Sequence, residues 1–372
     1  MNATPSKIGM HKDEIDTPAL LLDLAAMERN IKKMADFFVG KEVKLRPHAK
    51  MYRATPILAH KQINAGARGV TCAKLSEAEV LVNSGITDIL IANQIVGDEK
   101  IKRLVNLASK ADIEVAVDNQ KNIDALSQAA QANHVTIGVL IEVNIGHNRC
   151  GVAPFEPALE LARKVQESPG LDFMGLMGYD GHCTLKVAEA EREELSIKAN
   201  TLLAETRRYI EKAGIIVETV SGSGTFTYRF ASKVEGITEI QAGTYLLMDT
   251  AFKEHGVHEF ECTLSVLTSV ISKPSYPNAN GLVIVDVGRK SISIDLGVPE
   301  VKFPNGAIVR SLSDEHGRVI INDPALDLQV GGKIELWVRD SNGTINQFDR
   351  FHCIRDEIVE DVWKIPICGV NT

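Results

Sequence analysis

The sequence predicts an α/β fold in which a (β/α)8 barrel is followed by a C-terminal, mostly β domain. Between residues 24 and 250, short apolar runs alternate with segments of helical periodicity, which is the pattern of repeated βα units around a parallel sheet. Eight such units over about 225 residues match the size of a (β/α)8 barrel. An open doubly wound sheet is the alternative, but no G-x-G-x-x-G run follows the first strand.

The eight predicted barrel strands are short, and several are rich in Val and Ile with little alternation, as expected of strands covered on both faces. They are residues 43–47, 69–73, 88–92, 114–118, 137–144, 173–179, 218–221 and 239–242. The segments around them carry apolar residues at helical spacing and are predicted as helices. These helices are residues 22–38, 55–65, 77–82, 101–108, 121–132, 158–165 and 191–213.

After residue 255 the pattern changes to strand-like runs separated by Asn, Gly, Pro and Asp turns. The predicted strands are residues 263–271, 282–287, 291–294, 318–321, 333–338 and 351–354. An early strand at residues 18–23 is surplus to the barrel, and we expect it to pair with the β domain. The predicted domains are therefore the barrel at residues 24–250 and the β domain at residues 251–372, which includes an N-terminal strand segment at residues 16–23.

The composition is that of an ordinary globular protein, with 44% hydrophobic and 24% charged residues. A formal net charge of −8 gives nucleic acid no electrostatic reason to bind, so we expect no nucleic-acid partner. No apolar run reaches the length of a membrane span, and no secretion leader opens the sequence. The six dispersed cysteines form no CxxC pair. We therefore expect a cytoplasmic protein without a membrane partner.

Residues that can do chemistry follow several of the predicted barrel strands. The C-terminal strand ends of such a barrel form its active site. Lys50 follows the first strand, Arg149 follows the strand at 137–144, and Tyr179 ends the strand at 173–179. Loops rich in Gly, Ser and Thr follow the last two strands, at residues 221–225 and 241–245.

These residue types together suit pyridoxal 5'-phosphate (PLP). A partly desolvated lysine can lose its charge and attack an aldehyde. The loops offer backbone N–H groups and hydroxyls for a phosphate, a tyrosine ring can stack on a planar cofactor, and an arginine can hold an anionic oxygen. Each signal alone is more often a surface lysine, an ordinary turn or a core aromatic. Their joint placement at strand ends favours a PLP site.

Several motifs also resemble a known family. The sequence reads D-T-P-A-L-L-L-D at 16–23, R-P-H-A-K at 46–50 and N-A-G-A-R-G at 64–69. Further similar segments are residues 146–151, 221–225, 241–249, 286–291, 314–317 and 360–363. In this combination the chain resembles the D-threonine aldolase and D-serine dehydratase family of fold-type III, alanine-racemase-like PLP enzymes.

The resemblance implies a homodimeric lyase of D-amino acid metabolism that acts on D-configured β-hydroxy amino acids, by aldolase-like retro-aldol cleavage or dehydratase-like elimination. It implies that Lys50 holds PLP as a Schiff base, the internal aldimine, and moves the Cα proton with help from Arg149 and His316. It also implies that Tyr179 and Arg149 lie beside the cofactor ring. The residues implied to bind the phosphate are Ser223, Gly224, Thr225, Gly243 and Thr244.

The sequence departs from this family at two positions. Family members hold a divalent metal on a His-x-Asp or His-x-Cys pair, and the matching residues here are Asp340 and Asn342. Two oxygen ligands suit Mg²⁺ or Mn²⁺ and are poor for Zn²⁺, and a plain turn is the alternative interpretation. Relatives also tend to have a histidine directly after the tyrosine, whereas this chain has Asp180 and then His182.

Two other functions stay open at this stage. The first is an amino-acid racemase of the same fold, which needs a second base opposite the lysine. Tyr276 is the only tyrosine after residue 250 and lies in a Pro-flanked loop, which counts against that function. The second, from a different class, is a PLP-carrying homeostasis protein without turnover. The small single-barrel proteins of that kind lack the C-terminal β domain that we expect here.

Overall fold

The computed structural model describes residues 7–184 and 188–367, which fall into two compact units. The barrel unit comprises Lys32–Lys50 and Pro56–Thr244. The β unit comprises residues 7–31, Met51–Thr55 and residues 245–367. The first strand, β1 (Ala19–Asp23), belongs to the β unit, and helix α1 (Leu24–Phe38) follows it.

Eight parallel strands form the barrel, in an order that follows the chain. They are β2 (Lys44–Leu45), β3 (Val70–Cys72), β4 (Asp88–Ile91), β5 (Asp112–Val117), β6 (Ile137–Glu142), β7 (Leu171–Gly178), β8 (Thr219–Gly222) and β9 (Glu239–Ile240). Strand β2 pairs with β9, and a bridge between His48 and Thr71 connects the end of β2 to β3. The Thr71 N–H donates to the Pro47 carbonyl at 2.8 Å, which closes the ring of strands. The predicted fold class, an eight-stranded barrel with a separate mostly β domain, is confirmed.

Helices connect the strands and bury one apolar face each. They are α2 (Pro56–Asn64), α3 (Leu75–Asn83), α4 (Asp98–Ala108), α5 (Gln120–Ala132), α6 (Glu156–Gln166), α7 (Glu189–Lys212) and the one-turn α8 (Tyr228–Ala231). Helix α4, for example, buries Ile101, Leu104 and Val105 at helical spacing. The N-cap of α5 is Asn119, whose side chain accepts a hydrogen bond from the Lys121 N–H.

The barrel interior has an apolar layer with a charged layer next to it. Neighbouring strands contribute the apolar cluster of Leu90, Ala116, Leu140 and Met177. Because side chains two residues apart share a strand face, Asp88 and Glu114 point the same way as Leu90 and Ala116. The charged layer is centred on Arg46, which is fully buried. Its guanidinium forms ion pairs with the carboxylate of Asp88 and, at 2.9 Å, with that of Glu239. The carboxylate of Glu114 lies 3.8 Å from the same guanidinium. The local sequence pattern does not predict this charged layer.

The β unit contains a nine-stranded sheet to which β1 belongs. Its other strands are β10 (Leu264–Ser272), β11 (Leu282–Val285), β12 (Val301–Phe303), β13 (Ala307–Leu312), β14 (Gly317–Ile321), β15 (Lys333–Trp337), β16 (Arg350–Arg355) and β17 (Ile358–Lys364). Strand β1 lies between β10, to which it is antiparallel, and β16, to which it is parallel. The unit also holds two short helices, α9 (Thr250–Glu254) and α10 (Ser341–Ile345).

One predicted strand of this unit is wrong, and three observed strands were not predicted. Residues 291–294 form no strand, because the N–H groups of Ser291 and Ile292 both donate to the Gly288 carbonyl and make a turn. Strands β12, β13 and β17 escaped prediction because they are short or mix charged with apolar residues. Among the residues that the structure describes, no helix has both the length and the apolar character to cross a bilayer.

Candidate active site

Lys50 lies at the mouth of the barrel, in a short 3-10 helix (Ala49–Tyr52) that follows β2. Its side chain is exposed and therefore accessible to a small molecule. The pKa of Lys50 is nevertheless lowered, first because the protein around it displaces water and then because Arg149 is nearby, while Glu77 opposes the shift. A lowered pKa makes the uncharged, nucleophilic amine more abundant at neutral pH.

His48 stands two residues before Lys50 and is half-buried. Burial, followed by the charge of Lys50, lowers the pKa of His48 well below its usual value. Its Nδ1 atom is buried and has no hydrogen-bond partner within residues 7–184 and 188–367. A neutral imidazole with an unpaired ring nitrogen therefore lies beside the lysine at this strand end.

Tyr179 and Arg149 meet at the C-terminal ends of β6 and β7. The Arg149 guanidinium carbon lies 5.5 Å from the centre of the Tyr179 ring, and the His147 ring meets the same ring edge-on at 5.3 Å. Burial and the nearby Asp180 raise the pKa of Tyr179 to about 12, so its hydroxyl keeps its proton at neutral pH. The structure thus brings two of the predicted ring-side residues together, and His147 joins them.

The loop after β8 passes directly beside Tyr179. A Cβ atom added at Gly222 would collide with the carbonyl oxygen of Gly178, so only glycine lets these two strands approach so closely. A Cβ at Gly224 would lie 3.7 Å from the Tyr179 ring, which places the loop against the tyrosine. Ser223 adopts the left-handed backbone conformation with φ of 63°, which is uncommon for a residue other than glycine.

The second predicted phosphate loop follows the neighbouring strand β9. The Gln241 N–H donates to the Gly222 carbonyl at 2.9 Å, so the two loops begin side by side. Gly243 and Thr244 follow and are buried. Helix α8, which comes after Ser223–Thr225, has only one turn, so a helix dipole contributes little to anion binding here.

The remaining predicted site residues belong to the β unit. His316 is exposed in the turn between β13 and β14, and its acid–base role stays a prediction. Asp340 is the N-cap of α10: its carboxylate accepts hydrogen bonds from the Ser293 hydroxyl at 2.6 Å and from the Gly343 N–H at 3.2 Å. Asn342 is exposed two residues further on.

This geometry is poorly suited to a metal shared by Asp340 and Asn342. The Asp340 carboxylate already accepts hydrogen bonds from two protein donors, and the Asn342 side chain is exposed. In the described ranges, one group of three metal-binding side chains has its ligand atoms within 4.8 Å of one another, namely Asp118, Glu142 and Cys150. Asp118 accepts from the Gly151 N–H at 3.0 Å and Glu142 from Gln94 at 2.6 Å, so both carboxylates anchor loops of the barrel mouth.

Sequence reasoning missed Glu142 and His147 at this mouth. Glu142 is the last residue of the apolar strand β6 and is 5% exposed, and His147 lies in the loop that follows it. A charged residue that closes a Val- and Ile-rich run was the available signal, because such strand ends face the active site. For His147 the signal was weaker, since a loop histidine is more often structural.

The fold and this site define a class: a (β/α)8-barrel enzyme with an accessible lysine after its first strand and hydroxyl-rich loops after its last two. The family model for the alanine racemase N-terminal domain matches residues 22–251, and the model for a putative serine dehydratase domain matches residues 263–354. The chain belongs to this alanine-racemase-like family.

Several relatives are similar over nearly the whole chain. A D-threonine aldolase of Arthrobacter sp. is 36% identical over 99% of this chain and 96% of its own. A 3-hydroxy-D-aspartate aldolase of Paracoccus denitrificans is 34% identical over 98% of this chain and 95% of its own. The crystal structure of D-threonine aldolase from Filomicrobium marinum superposes with a TM-score of 0.93, with 38% identity, over 98% of this chain and 99% of that one. These relatives are lyases, and the predicted enzyme class, a lyase for D-β-hydroxy amino acids, is confirmed at the level of the family.

Proposed function

We propose that this chain is a PLP-dependent aldolase that cleaves D-configured β-hydroxy amino acids between Cα and Cβ. The observation that carries the proposal is Lys50, an accessible amine with a lowered pKa at the mouth of the barrel. The full-length similarity to two aldolases supports cleavage over elimination of water. If the wild-type chain converts no D-β-hydroxy amino acid, the proposal is wrong.

The donor set at the mouth fits PLP. Lys50 supplies the amine that reacts with an aldehyde, Arg149 supplies positive charge for an anionic oxygen, and the Ser223–Thr225 loop supplies backbone N–H groups for the phosphate. The unpaired Nδ1 of His48 is a further polar atom without a protein partner in the described chain. When bound, PLP supplies an electron sink for the negative charge that develops on the substrate Cα.

The chain's own residues then have separate tasks. We assign Lys50 Nζ to hold the cofactor and, once released from it, to carry a proton to or from Cα. Arg149 orients an anionic oxygen of cofactor or substrate, and Tyr179, whose hydroxyl stays protonated, packs beside the ring. Retro-aldol cleavage needs a base for the β-hydroxyl proton. Burial, Arg149 and His182 lower the pKa of His147, so a neutral imidazole is present at the mouth for that step.

A product assay tests the proposal directly. The PLP-loaded chain is incubated with D-threonine and with 3-hydroxy-D-aspartate, with the L-isomers as matched controls. We expect glycine and an aldehyde from the D-isomers alone. A 2-oxo acid with ammonia would identify a dehydratase instead, and interconversion of D- and L-isomers without cleavage would identify a racemase.

Further features belong to the same proposal. We propose a homodimer, a cytoplasmic location, and domains at residues 24–250 and 251–372 with the strand segment 16–23. We assign no step to a metal on Asp340 and Asn342, because the carboxylate of Asp340 already caps α10. His316 remains the proposed acid–base group of the β unit.

A further inference from the structure

A buried hydrogen-bond chain runs from helix α7 to the loop after β8. Its centre is Asp180, which directly follows Tyr179 and is fully buried. Asp180 Oδ2 accepts hydrogen bonds from the Ser196 hydroxyl at 2.7 Å and from Asn200 Nδ2 at 3.0 Å, both on α7. Asp180 Oδ1 accepts from the Thr227 hydroxyl at 3.0 Å.

Thr227 connects Asp180 to the loop, because its hydroxyl is hydrogen-bonded both to Asp180 and to Ser223. Its hydroxyl has a single proton, and that proton is donated to Asp180 Oδ1. The Ser223 hydroxyl, 2.7 Å from Thr227 Oγ1, must then be the donor of their shared hydrogen bond. The Gly224 N–H also points to Thr227 Oγ1, at 3.4 Å. The direction of the bond between Ser223 and Thr227 therefore follows from the acceptor role of Asp180 Oδ1.

The hydrogen bonds around Asp180 favour its charged form against the effect of burial. Burial raises the pKa of Asp180, and the hydrogen bonds from Ser196, Thr227 and Asn200 oppose that rise. Because Asn200 Nδ2 can only donate, it fixes Oδ2 as an acceptor. Ser196 and Asn200 on α7 thus hold the Asp180 carboxylate in place, so that its Oδ1 atom faces Thr227.

The series of hydrogen bonds ends at Ser223, the loop residue with an unusual backbone conformation. Ser223 has φ of 63°, and its hydroxyl proton is used inside the protein by Thr227. Its backbone is therefore set by internal contacts before any ligand arrives. Binding then requires less ordering of the Ser223–Thr225 segment, which is how preorganisation raises affinity.

We infer that Asp180, acting through Thr227, is a positioning residue that fixes the Ser223–Thr225 loop to receive the phosphate group of the cofactor. This inference rests on the proposed function, which assigns that loop to the phosphate. Asp180 contacts the loop through a hydroxyl and is separate from the amine of Lys50. Its loss should weaken binding of the phosphate group and leave condensation of the aldehyde with the lysine intact.

The test compares two aldehydes on the full-length chain without cofactor. PLP and pyridoxal, which lacks the phosphate, are titrated separately, and condensation with Lys50 is followed by absorbance. Thr227→Val removes the hydroxyl at nearly constant volume. We expect it to raise the Kd for PLP about five- to thirtyfold, as the loss of one or two hydrogen bonds implies, and to change the Kd for pyridoxal less than about twofold.

Three further variants complete the design. Thr227→Ser keeps the hydroxyl and should restore PLP affinity. Asp180→Asn should give the same selective loss as Thr227→Val. Thr206→Val is the matched control: Thr206 is a fully buried threonine on α7 whose hydroxyl donates to the Leu202 carbonyl at 2.8 Å, so it should leave both affinities unchanged.

Equal losses for PLP and pyridoxal, or unchanged PLP affinity in a Thr227→Val protein that melts at the wild-type temperature, would overturn the inference. If Asp180→Asn fails to fold, the Thr227 pair of variants alone decides between these outcomes. Failure of the wild-type chain to condense with PLP would instead overturn the proposed function, and the inference with it.

Discussion

The charged layer inside the barrel predicts that stability falls as pH rises toward neutrality, and that Glu114→Gln removes this dependence. Glu114 is 8% exposed and lies 3.8 Å from the guanidinium of Arg46. Burial raises the pKa of Glu114 to about 7 despite the opposing attraction of Arg46, and the nearby Glu239 adds to the rise. Burial thus outweighs ion pairing at this residue.

The sign and size of the effect follow from proton linkage. Between pH 4.5 and 7 the folded chain keeps a proton on Glu114 that the unfolded chain releases, so this contribution to stability is complete at low pH and is lost as pH rises through about 7. A shift from 4.5 to about 7 corresponds to about 3 kcal/mol, at roughly 1.4 kcal/mol for each pKa unit. About 2 kcal/mol of this falls between pH 5.5 and 8.

Urea unfolding of the wild type and of Glu114→Gln at pH 5.5 and pH 8 measures this contribution as a difference between proteins. We expect the variant to gain about 2 kcal/mol relative to the wild type over that interval. Glu99→Gln, which changes an exposed glutamate on α4, is the control and should show no such gain. A difference that stays constant with pH would refute the reasoning. If the wild type instead becomes more stable relative to the variant as pH rises, attraction to Arg46 outweighs the effect of burial on Glu114.

Three other outcomes are expected. Arg149→Met should move the pH dependence of PLP condensation with Lys50 to higher pH, because Arg149 lowers the pKa of Lys50; a stopped-flow series that shows no shift would contradict this. Gly222→Ala should lower the free energy of unfolding by about 1–3 kcal/mol, because the new Cβ would collide with Gly178 and overpack the strand contact. Urea titration measures this loss, and an unchanged unfolding midpoint would count against the close contact between the strands. Dialysis against a chelator should change turnover less than about twofold. The reason is that the Asp340 carboxylate is already hydrogen-bonded to protein donors, unlike the free oxygen ligands of a Mg²⁺ or Mn²⁺ site. A larger loss of turnover that Mg²⁺ or Mn²⁺ restores would contradict this prediction.

The barrel could be predicted from the sequence because several of its strands, such as β4 and β6, are mainly apolar runs. Strand β6, for instance, was expected at residues 137–144 and spans Ile137–Glu142, and β7 was expected at 173–179 and spans Leu171–Gly178. Each run is bounded by turn residues and followed by a helical pattern, which local propensity alone resolves. Where an element has one turn, as in α8, or mixes charged and apolar residues, as in β17, the periodicity is too brief to detect.

The candidate site was predictable only in part, because its partners are distant in the sequence. The lysine and tyrosine could be found because they stand at strand ends, where barrel geometry brings side chains together. The hydrogen bond between Asp180 and Thr227 joins residues 47 positions apart, and no local pattern announces it. Arg46 and Glu239 look like solvent-facing charges in the sequence, whereas the structure buries both and pairs them. The Asp340 carboxylate also accepts a hydrogen bond from Ser293, which comes from a different turn of the chain.

The claim that Lys50 carries the cofactor is tested most directly by reducing the PLP-loaded chain with borohydride, digesting it and locating the modified lysine by mass spectrometry. The account predicts a stable pyridoxyl group on Lys50, and none on the exposed Lys41 and Lys44 of the preceding segment. A label on another lysine, or an unlabelled chain, would contradict it.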